Sequence, residues 1–254
     1  MLFSKIADTF AALESTSSRL EMTDILARSF EGMDPSDLRN TIYLSQGLLH
    51  PDFYPEKLGM ADRLILQSIA STSGNPVDKV ESMWIKEGDT GTVAEELIRN
   101  KKQMSLFSEP LTLDTVVSGL SSIESAEGKD SQNRKIKILS SMLHDAGPLE
   151  ARYLCRIVTG RMRVGASSMT ILDALAQCYA EKENRPEIER AFNITCDLGF
   201  VGETLARDGM DGIRKIRWRG GTPSRSCSPR DCRPWARSWS AWAEGAPWST
   251  STTA

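Results

Sequence analysis

The chain of 254 residues is long enough for one large domain or two small ones, and its 40% hydrophobic and 26% charged residues are typical of a globular protein. No apolar run approaches the roughly 20 residues that span a bilayer, and Lys5 and Asp8 interrupt the opening MLFSKIADTF, which excludes a membrane protein and a secretory leader. We therefore expect a cytoplasmic protein. His50 and His144 are isolated and no C-x-x-C occurs, so no metal site is expected.

The formal net charge of −3 is unevenly distributed along the chain. Residues 218–254 contain five Arg against Asp231 and Glu244, a balance of +3, so residues 1–217 carry −6. A body with this acidic balance does not attract nucleic acid through its overall charge. Binding to nucleic acid would need a local basic patch.

Residues 1–217 are predicted to form helices almost throughout. Apolar side chains recur at helical spacing over residues 3–13, 22–30 and 116–123. Prolines and capping side chains predict further helix starts, at Asp34-Pro35, Asn75-Pro76, Pro148 and Pro186. With almost no alternating runs and no repeat of the solenoid kind, the pattern predicts an all-α fold of about twelve helices with short connections.

The segment TGRMRVGASSMTILDALA, residues 159–176, has the composition of a phosphate-binding turn between two helices. It contains two glycines, two arginines and two adjacent serines: Gly160, Gly165, Arg161, Arg163, Ser167 and Ser168. The glycines allow close approach of the backbone to a ligand, and the arginines offer forked donors to phosphate oxygens. One of the serines is predicted to cap the next helix, whose N-terminus adds partial positive charge.

Two other interpretations of this segment were weighed. It could be an ordinary turn with two solvated arginines, which is the commoner case among proteins in general. The spacing of Gly160 and Gly165 also matches the glycines of a P-loop, but Ala166 stands where that motif needs lysine and the preceding element is a predicted helix rather than a strand. The P-loop interpretation is therefore rejected.

Residues 150–176, EARYLCRIVTGRMRVGASSMTILDALA, resemble the signature of the N-terminal DNA-binding domain of ATP-dependent DNA ligases of the archaeal and eukaryotic replicative type. Four further segments are similar and occur in the family's order: LFSKIADTFAALESTSSRLEMTDILARSF, FYPEKLGMADRLILQSIA, GDTGTVAEELI and RKIKILSSMLHDAGPLEARYL. The resemblance covers about residues 2–217, which we expect to form this domain.

The resemblance implies a monomeric, nucleoid-associated protein that clasps nicked double-stranded DNA across the minor groove. In the family, the glycine-bracketed basic loop presses on the sugar-phosphate backbone, which here implicates Gly160, Arg161, Arg163, Gly165, Ser167 and Ser168. Arg152 and Arg156 lie upstream on the preceding predicted helix and are further candidates for phosphate contacts. Lys101 and Lys102 are weaker candidates, since charge runs on helices are usually solvated. Contacts of this kind position a protein without reading sequence.

Family ligases continue into a nucleotidyltransferase domain, which opens with a K-x-D-G motif, and then into an OB-fold. The motif's lysine takes AMP from ATP, and Mg²⁺ assists each step. The present 254 residues contain no K-x-D-G, so we expect no catalytic residue, no ATP site and no Mg²⁺ site in this chain.

Residues 218–254 have a composition that cannot build a core. They hold five of the six Trp and lack Ile, Leu, Val, Met, Phe and Tyr. Read one nucleotide earlier, permitted codons for WSTSTTA, residues 248–254, can encode Glu-Tyr-Lys-Tyr-Asp-Gly, and those for SCSPRDC, residues 226–232, can encode Met-Leu-Ala-Gln-Arg-Leu, similar to the family's linker. We therefore predict a frameshift near Arg217 and a non-native or disordered tail. The alternative is a native Trp- and Arg-rich tail that stacks on nucleic acid.

The sequence thus predicts the DNA-binding portion of a ligase that seals nicks in replication, repair and recombination, in a form that binds DNA without ligating it. The alternative function is a helical protein-interaction scaffold with no role in nucleic-acid binding, which the acidic body favours.

Overall fold

The computed structural model describes residues 1–54, 58, 60–100 and 109–217, and the predicted tail and Lys101 and Lys102 lie outside these ranges. Within the described residues the fold is all-α, as predicted, with twelve α-helices, one 3-10 turn at Lys182–Asn184 and a single isolated β-bridge between Leu2 and Thr112. The helices in chain order are α1 (Phe3–Glu14), α2 (Arg19–Phe30), α3 (Pro35–Ser45), α4 (Asp62–Ser73), α5 (Val77–Glu87), α6 (Thr90–Arg99), α7 (Leu113–Glu124), α8 (Ser131–Asp145), α9 (Pro148–Thr159), α10 (Ser168–Tyr179), α11 (Arg185–Thr195) and α12 (Leu198–Lys215).

The predicted helix starts are correct to within one residue. Pro35 and Pro148 each open a helix, where the missing N–H of proline costs nothing. Pro76 instead precedes the first residue of α5, and Pro186 is the second residue of α11. The apolar periodicity that predicted α1 corresponds to its buried face, which includes Phe3, Ile6 and Phe10.

The helices pack as two groups joined into one hydrophobic core. In the middle group α6 packs on α9, α4 on α8, and α4 on α6. In the terminal group the ends of the chain meet, because α3 packs on α12 and α2 on α10. Helix α1 contacts both α2 and α9 and links the groups, and the ring of Phe10 on α1 meets that of Tyr153 on α9 edge-on at 5.4 Å.

The chain crosses between the groups twice, after α3 and again between α9 and α10, and the two crossings touch. Gly47, in the first crossing, has a left-handed backbone with φ of +70°. A Cβ there would lie 3.1 Å from Cγ of Met162 and 3.4 Å from the carbonyl carbon of Gly160, both in the second crossing. The contact between Gly47 and the second crossing therefore leaves little room for any side chain. Within the described part of the chain, no helix is long and apolar enough to cross a membrane.

Candidate nucleic-acid interface

Residues 160–167, which we call the basic loop, form the second crossing. Helix α9 ends at Thr159, and Gly160 adopts a left-handed conformation with φ of +70° that turns the chain out of the helix. Helix α10 begins at Ser168, and the Oγ of Ser167 accepts a hydrogen bond of 3.2 Å from the backbone N–H of Thr170. Of the two serines that the sequence left open, Ser167 is therefore the cap.

The basic loop separates its apolar and charged side chains onto opposite sides. Met162 and Val164 are 5% and 2% exposed and belong to the core, whereas Arg161, Arg163 and Gly165 are exposed. The structure thus anchors the loop through its two apolar residues and leaves both arginines in solvent. The alternation of arginine and apolar residues in R-M-R-V, residues 161–164, is the local signal for this separation.

The exposed arginines have only weak partners within the chain. The side chain of Arg161 is 66% exposed, and its Nη1 lies 3.8 Å from a carboxylate oxygen of Asp62, at the start of α4. Nη2 of Arg163 donates a long hydrogen bond of 3.4 Å to the carbonyl of Gly88, between α5 and α6. Arg163 also has a φ of +57°, a conformation that is unfavourable for a residue with a side chain. Both guanidinium groups thus face solvent, with Asp62 beside Arg161 and with the charge of Asp89 acting on Arg163.

The start of α10 is held against the first crossing. The Oγ of Ser168 accepts a hydrogen bond of 3.1 Å from the side-chain amide of Gln46, the residue that ends α3. This contact joins the predicted serine to a residue 122 positions earlier in the chain. Sequence reasoning missed Gln46 and Gly47, because nothing local marks them as neighbours of the basic loop.

Arg156 does not lie at the surface, which corrects its assignment as a phosphate contact. Its side chain is 3% exposed, and its Nε and Nη2 donate to Oδ2 of Asp89 at 3.0 and 2.7 Å. Its Nη1 donates to Oε2 of Glu14 at 2.7 Å, and the guanidinium stacks on the ring of Tyr153, 5.6 Å from its centroid. These carboxylates occupy the donors that a phosphate would need.

Arg152 is more accessible but is also paired. Its side chain is 25% exposed, with Nε 2.5 Å from Oε2 of Glu95 and Nη1 3.7 Å from Oε2 of Glu14. No contact with the basic loop is found for it among the described residues, so its role in phosphate binding stays a prediction. The five residues Glu14, Asp89, Glu95, Arg152 and Arg156 form what we call the ion-pair network.

Two carboxylates of the ion-pair network, those of Asp89 and Glu14, have a pKa that favours their charged form. Burial by itself would raise the pKa of Asp89, but hydrogen bonds from Arg156 and Thr92 outweigh it and lower the pKa below its usual value. The same balance, with donors from Arg156 and Tyr153, lowers the pKa of Glu14. Burial opposes the charge of Arg156, yet its bonds to Glu14 and Asp89 raise its pKa. The arginines of the network are thus engaged by its carboxylates, which outnumber them by one.

The geometry separates an exposed basic loop from a partly buried cluster of paired charges. Comparison with known proteins identifies the family. The family model described as DNA ligase N terminus matches residues 2–176, which include the whole basic loop. The chain belongs to this family. The predicted resemblance to the N-terminal domain of ATP-dependent DNA ligases is therefore confirmed.

Archaeal DNA ligases are similar to this chain over most of its length. It is 39% identical over 218 residues to the DNA ligase of Nitrosopumilus maritimus (strain SCM1), covering 85% of the chain and 37% of that relative. It is 40% identical to DNA ligase 2 of Thermofilum pendens (strain DSM 2475 / Hrk 5), with coverage of 87% and 38%, and 37% identical to the DNA ligase of Aeropyrum pernix, with coverage of 89% and 40%. The chain thus spans 37–40% of the length of these three ligases.

Proposed function

We propose that this chain is the DNA-binding portion of an ATP-dependent DNA ligase, and that it holds nicked duplex DNA through sugar-phosphate contacts without itself joining the ends. The observation that carries the proposal is the orientation of the basic loop, whose apolar side chains are buried while Arg161 and Arg163 point outward. A surface that presents two exposed, weakly paired guanidiniums suits a polyanion, even though residues 1–217 carry a net negative charge.

The spacing of the two arginines supports contact with a phosphate backbone. Arg161 and Arg163 are both exposed and are separated in the basic loop by the buried Met162, so their long side chains can engage separate phosphate groups. Each planar guanidinium can donate two parallel hydrogen bonds to one phosphate. The glycines at either end of the loop carry no side chain that would keep its backbone away from the duplex.

The N-terminus of α10 adds to the same surface. Helix α10 spans twelve residues and begins directly after the basic loop, so the positive end of its dipole lies beside the two arginines. Backbone N–H groups at a helix start bind phosphate oxygens without regard to base sequence. A nick-binding protein must act at any sequence, which favours this mode of contact.

Joining the DNA ends is assigned to residues that this stretch of sequence does not contain. No K-x-D-G occurs in the 254 residues, and no group of three or more His, Cys, Asp or Glu that could hold a metal occurs among the described residues. The proposal therefore assigns no step to ATP or Mg²⁺. We further infer that residues 218–254 arise from a frameshift near Arg217, which sequencing the gene across codons 210–260 would test; codons incompatible with lysine-tyrosine-aspartate-glycine in the neighbouring frame would contradict it.

The test is a fluorescence anisotropy titration of a labelled nicked duplex with the full chain and its variants. Arg161→Ala and Arg163→Ala should each weaken binding by about five- to tenfold, the order expected for one lost charge-assisted contact. Each should reduce the slope of log affinity against log salt by about 1, and to the same extent for unrelated DNA sequences.

Arg214→Ala is the matched control, because it removes one positive charge from a half-exposed side chain. In the described part of the chain Arg214 pairs with carboxylates of α11 and α12, those of Glu187 and Asp211. The affinity of this variant should change by less than about twofold. Equal losses for all three variants would mean that the basic loop has no special part in binding. A chain that does not bind the nicked duplex at low salt would support the protein-interaction scaffold instead.

An intact duplex of the same sequence tests the preference for nicks, since only a chain that recognises the discontinuity should bind the nicked form more tightly. Location at the nucleoid, a monomeric state and roles in replication, repair and recombination follow from the proposal as further expectations.

A further inference from the structure

The backbone carbonyl of Arg156 forms a hydrogen bond with the start of the basic loop. Its carbonyl oxygen accepts a hydrogen bond of 3.0 Å from the N–H of Arg161, the first residue after the turn at Gly160. The same oxygen accepts a bond of 2.9 Å from the hydroxyl of Thr159. The position of Arg156 in α9 therefore determines where the chain of the basic loop begins.

The side chain of Arg156 binds the turn between α5 and α6, which Arg163 of the basic loop also contacts. Its guanidinium binds Asp89, which caps α6 through a bond of 2.9 Å from Oγ1 of Thr92 and a longer one from the N–H of the same residue. The residue before Asp89 is Gly88, whose carbonyl accepts the hydrogen bond from Arg163. The buried ion pair between Arg156 and Asp89 thus links two contacts of the basic loop. Arg156 provides the carbonyl that binds the N–H of Arg161, and Asp89 follows Gly88, whose carbonyl binds Arg163.

Close packing of α6 on α9 makes this connection stiff. A Cβ at Gly91, in the first turn of α6, would lie 2.7 Å from the carbonyl oxygen of Arg152 and 2.9 Å from Cγ of Arg156. The two helices approach as closely as their backbones allow, so the N-terminus of α6 cannot shift toward α9. Loss of the ion pair would leave the α5–α6 turn as the part free to move away.

We propose that Arg156 and Asp89 are positioning residues for DNA binding, which hold the turn that orients Arg163 and do not touch the duplex. This inference rests on the proposed function, because it needs the basic loop to be the DNA contact. The left-handed backbone of Arg163 is unfavourable in isolation and is kept by its surroundings. The turn at Gly88 and Asp89 is the surrounding structure that Arg163 contacts.

A double-mutant cycle between Asp89→Asn and Arg163→Ala tests the proposal. Asparagine keeps the shape of the side chain and can still cap α6, but it removes the charge that holds Arg156. By net charge alone the loss of an acid would strengthen DNA binding. We expect Asp89→Asn instead to weaken binding of the nicked duplex by about fivefold, and by less than about twofold when Arg163 is already Ala, since coupled residues are not additive.

Asp173→Asn is the matched control, because Asp173 is also an acid bound by two arginines, Arg19 and Arg185, but it lies on α10 and its ion pairs do not include the basic loop. It should leave the affinity unchanged or slightly raised. The affinity of Arg156→Lys for the nicked duplex should lie between those of wild type and Asp89→Asn, because lysine keeps the charge but cannot form the forked hydrogen bonds of a guanidinium. Circular dichroism at the assay temperature checks that each variant is folded.

The outcomes separate the two proposals. If Arg163→Ala does not weaken binding, the basic loop is not the DNA contact and both proposals fail. If Arg163→Ala weakens binding but Asp89→Asn has no effect, or lowers affinity equally in both backgrounds, only the positioning role is overturned. A loss confined to the background that retains Arg163 supports it, because general destabilisation would act in both.

Discussion

Two pairs of arginines lie within twelve residues of each other and have opposite surroundings. Arg152 and Arg156 lie on α9 and are bound by carboxylates, whereas Arg161 and Arg163 lie in the basic loop and face solvent with weak contacts only. Residue type is therefore a poor guide to phosphate binding. What decides availability is whether the fold brings acids to the guanidinium, since carboxylates already bound to its fork compete with a phosphate for the same donors.

The largest expected difference between the pairs is in stability. Arg156→Met should lower the free energy of unfolding by about 3–5 kcal/mol, because it leaves Asp89 and Glu14 partly buried without their main cation. Arg161→Ala, at a largely exposed position, should change it by less than about 0.5 kcal/mol. Urea denaturation followed by circular dichroism measures both. Similar losses would remove the distinction between a structural and an exposed arginine.

Removing both exposed arginines should have the largest effect on DNA binding with little on stability. The double variant Arg161→Ala, Arg163→Ala should bind a nicked duplex about 25- to 100-fold more weakly at low salt, if the two contacts act independently. Its salt slope should fall by about 2. Anisotropy titrations between low and moderate salt measure both quantities. A fall in affinity with an unchanged slope would mean that the arginines do not contact phosphates.

A smaller effect is expected in the pH dependence of stability. The pKa values of Asp89 and Glu14 are lowered from 3.8 and 4.5 by their bonds to arginine, despite burial, which opposes the charged form. A depressed carboxyl pKa gives stability that is present above the unfolded value and is lost as the pH falls through the folded one. Wild type should therefore lose more stability than Arg156→Met between pH 6 and pH 3. Parallel losses in urea denaturation at each pH would show that these carboxylates do not depend on Arg156.

The smallest expected effect tests how strongly Asp62 holds the exposed Arg161. Asp62 lies 3.8 Å from Arg161, an exposed ion pair of the kind worth about 0–1 kcal/mol. Asp62→Asn should raise the affinity for a nicked duplex by at most about threefold, because Arg161 then has no competitor for phosphate. The increase should disappear when Arg161 is Ala. An increase that persists would come from net charge rather than from release of Arg161.

Local features of the sequence predicted most of the elements of this protein. Prolines located helix starts to within one residue, apolar periodicity located most of α1, α2 and α7, and Ser167 was one of two named caps for α10. Two glycines and two arginines between predicted helices marked the basic loop. These signals act over one or two turns of chain, which is why they can be read without a fold.

The tertiary structure alone decided which charged residues are available. The partners of Arg156 lie 67 and 142 residues away from it, and no local pattern in α9 distinguishes it from a solvated arginine. The contacts of Gln46 and Gly47 with the second crossing have the same origin, because two segments far apart in sequence meet only when both helix groups are packed. The sequence by itself determined the helices and the composition of the loop. Desolvation and pairing of charge, which depend on the whole folded chain, determined which arginines can meet DNA.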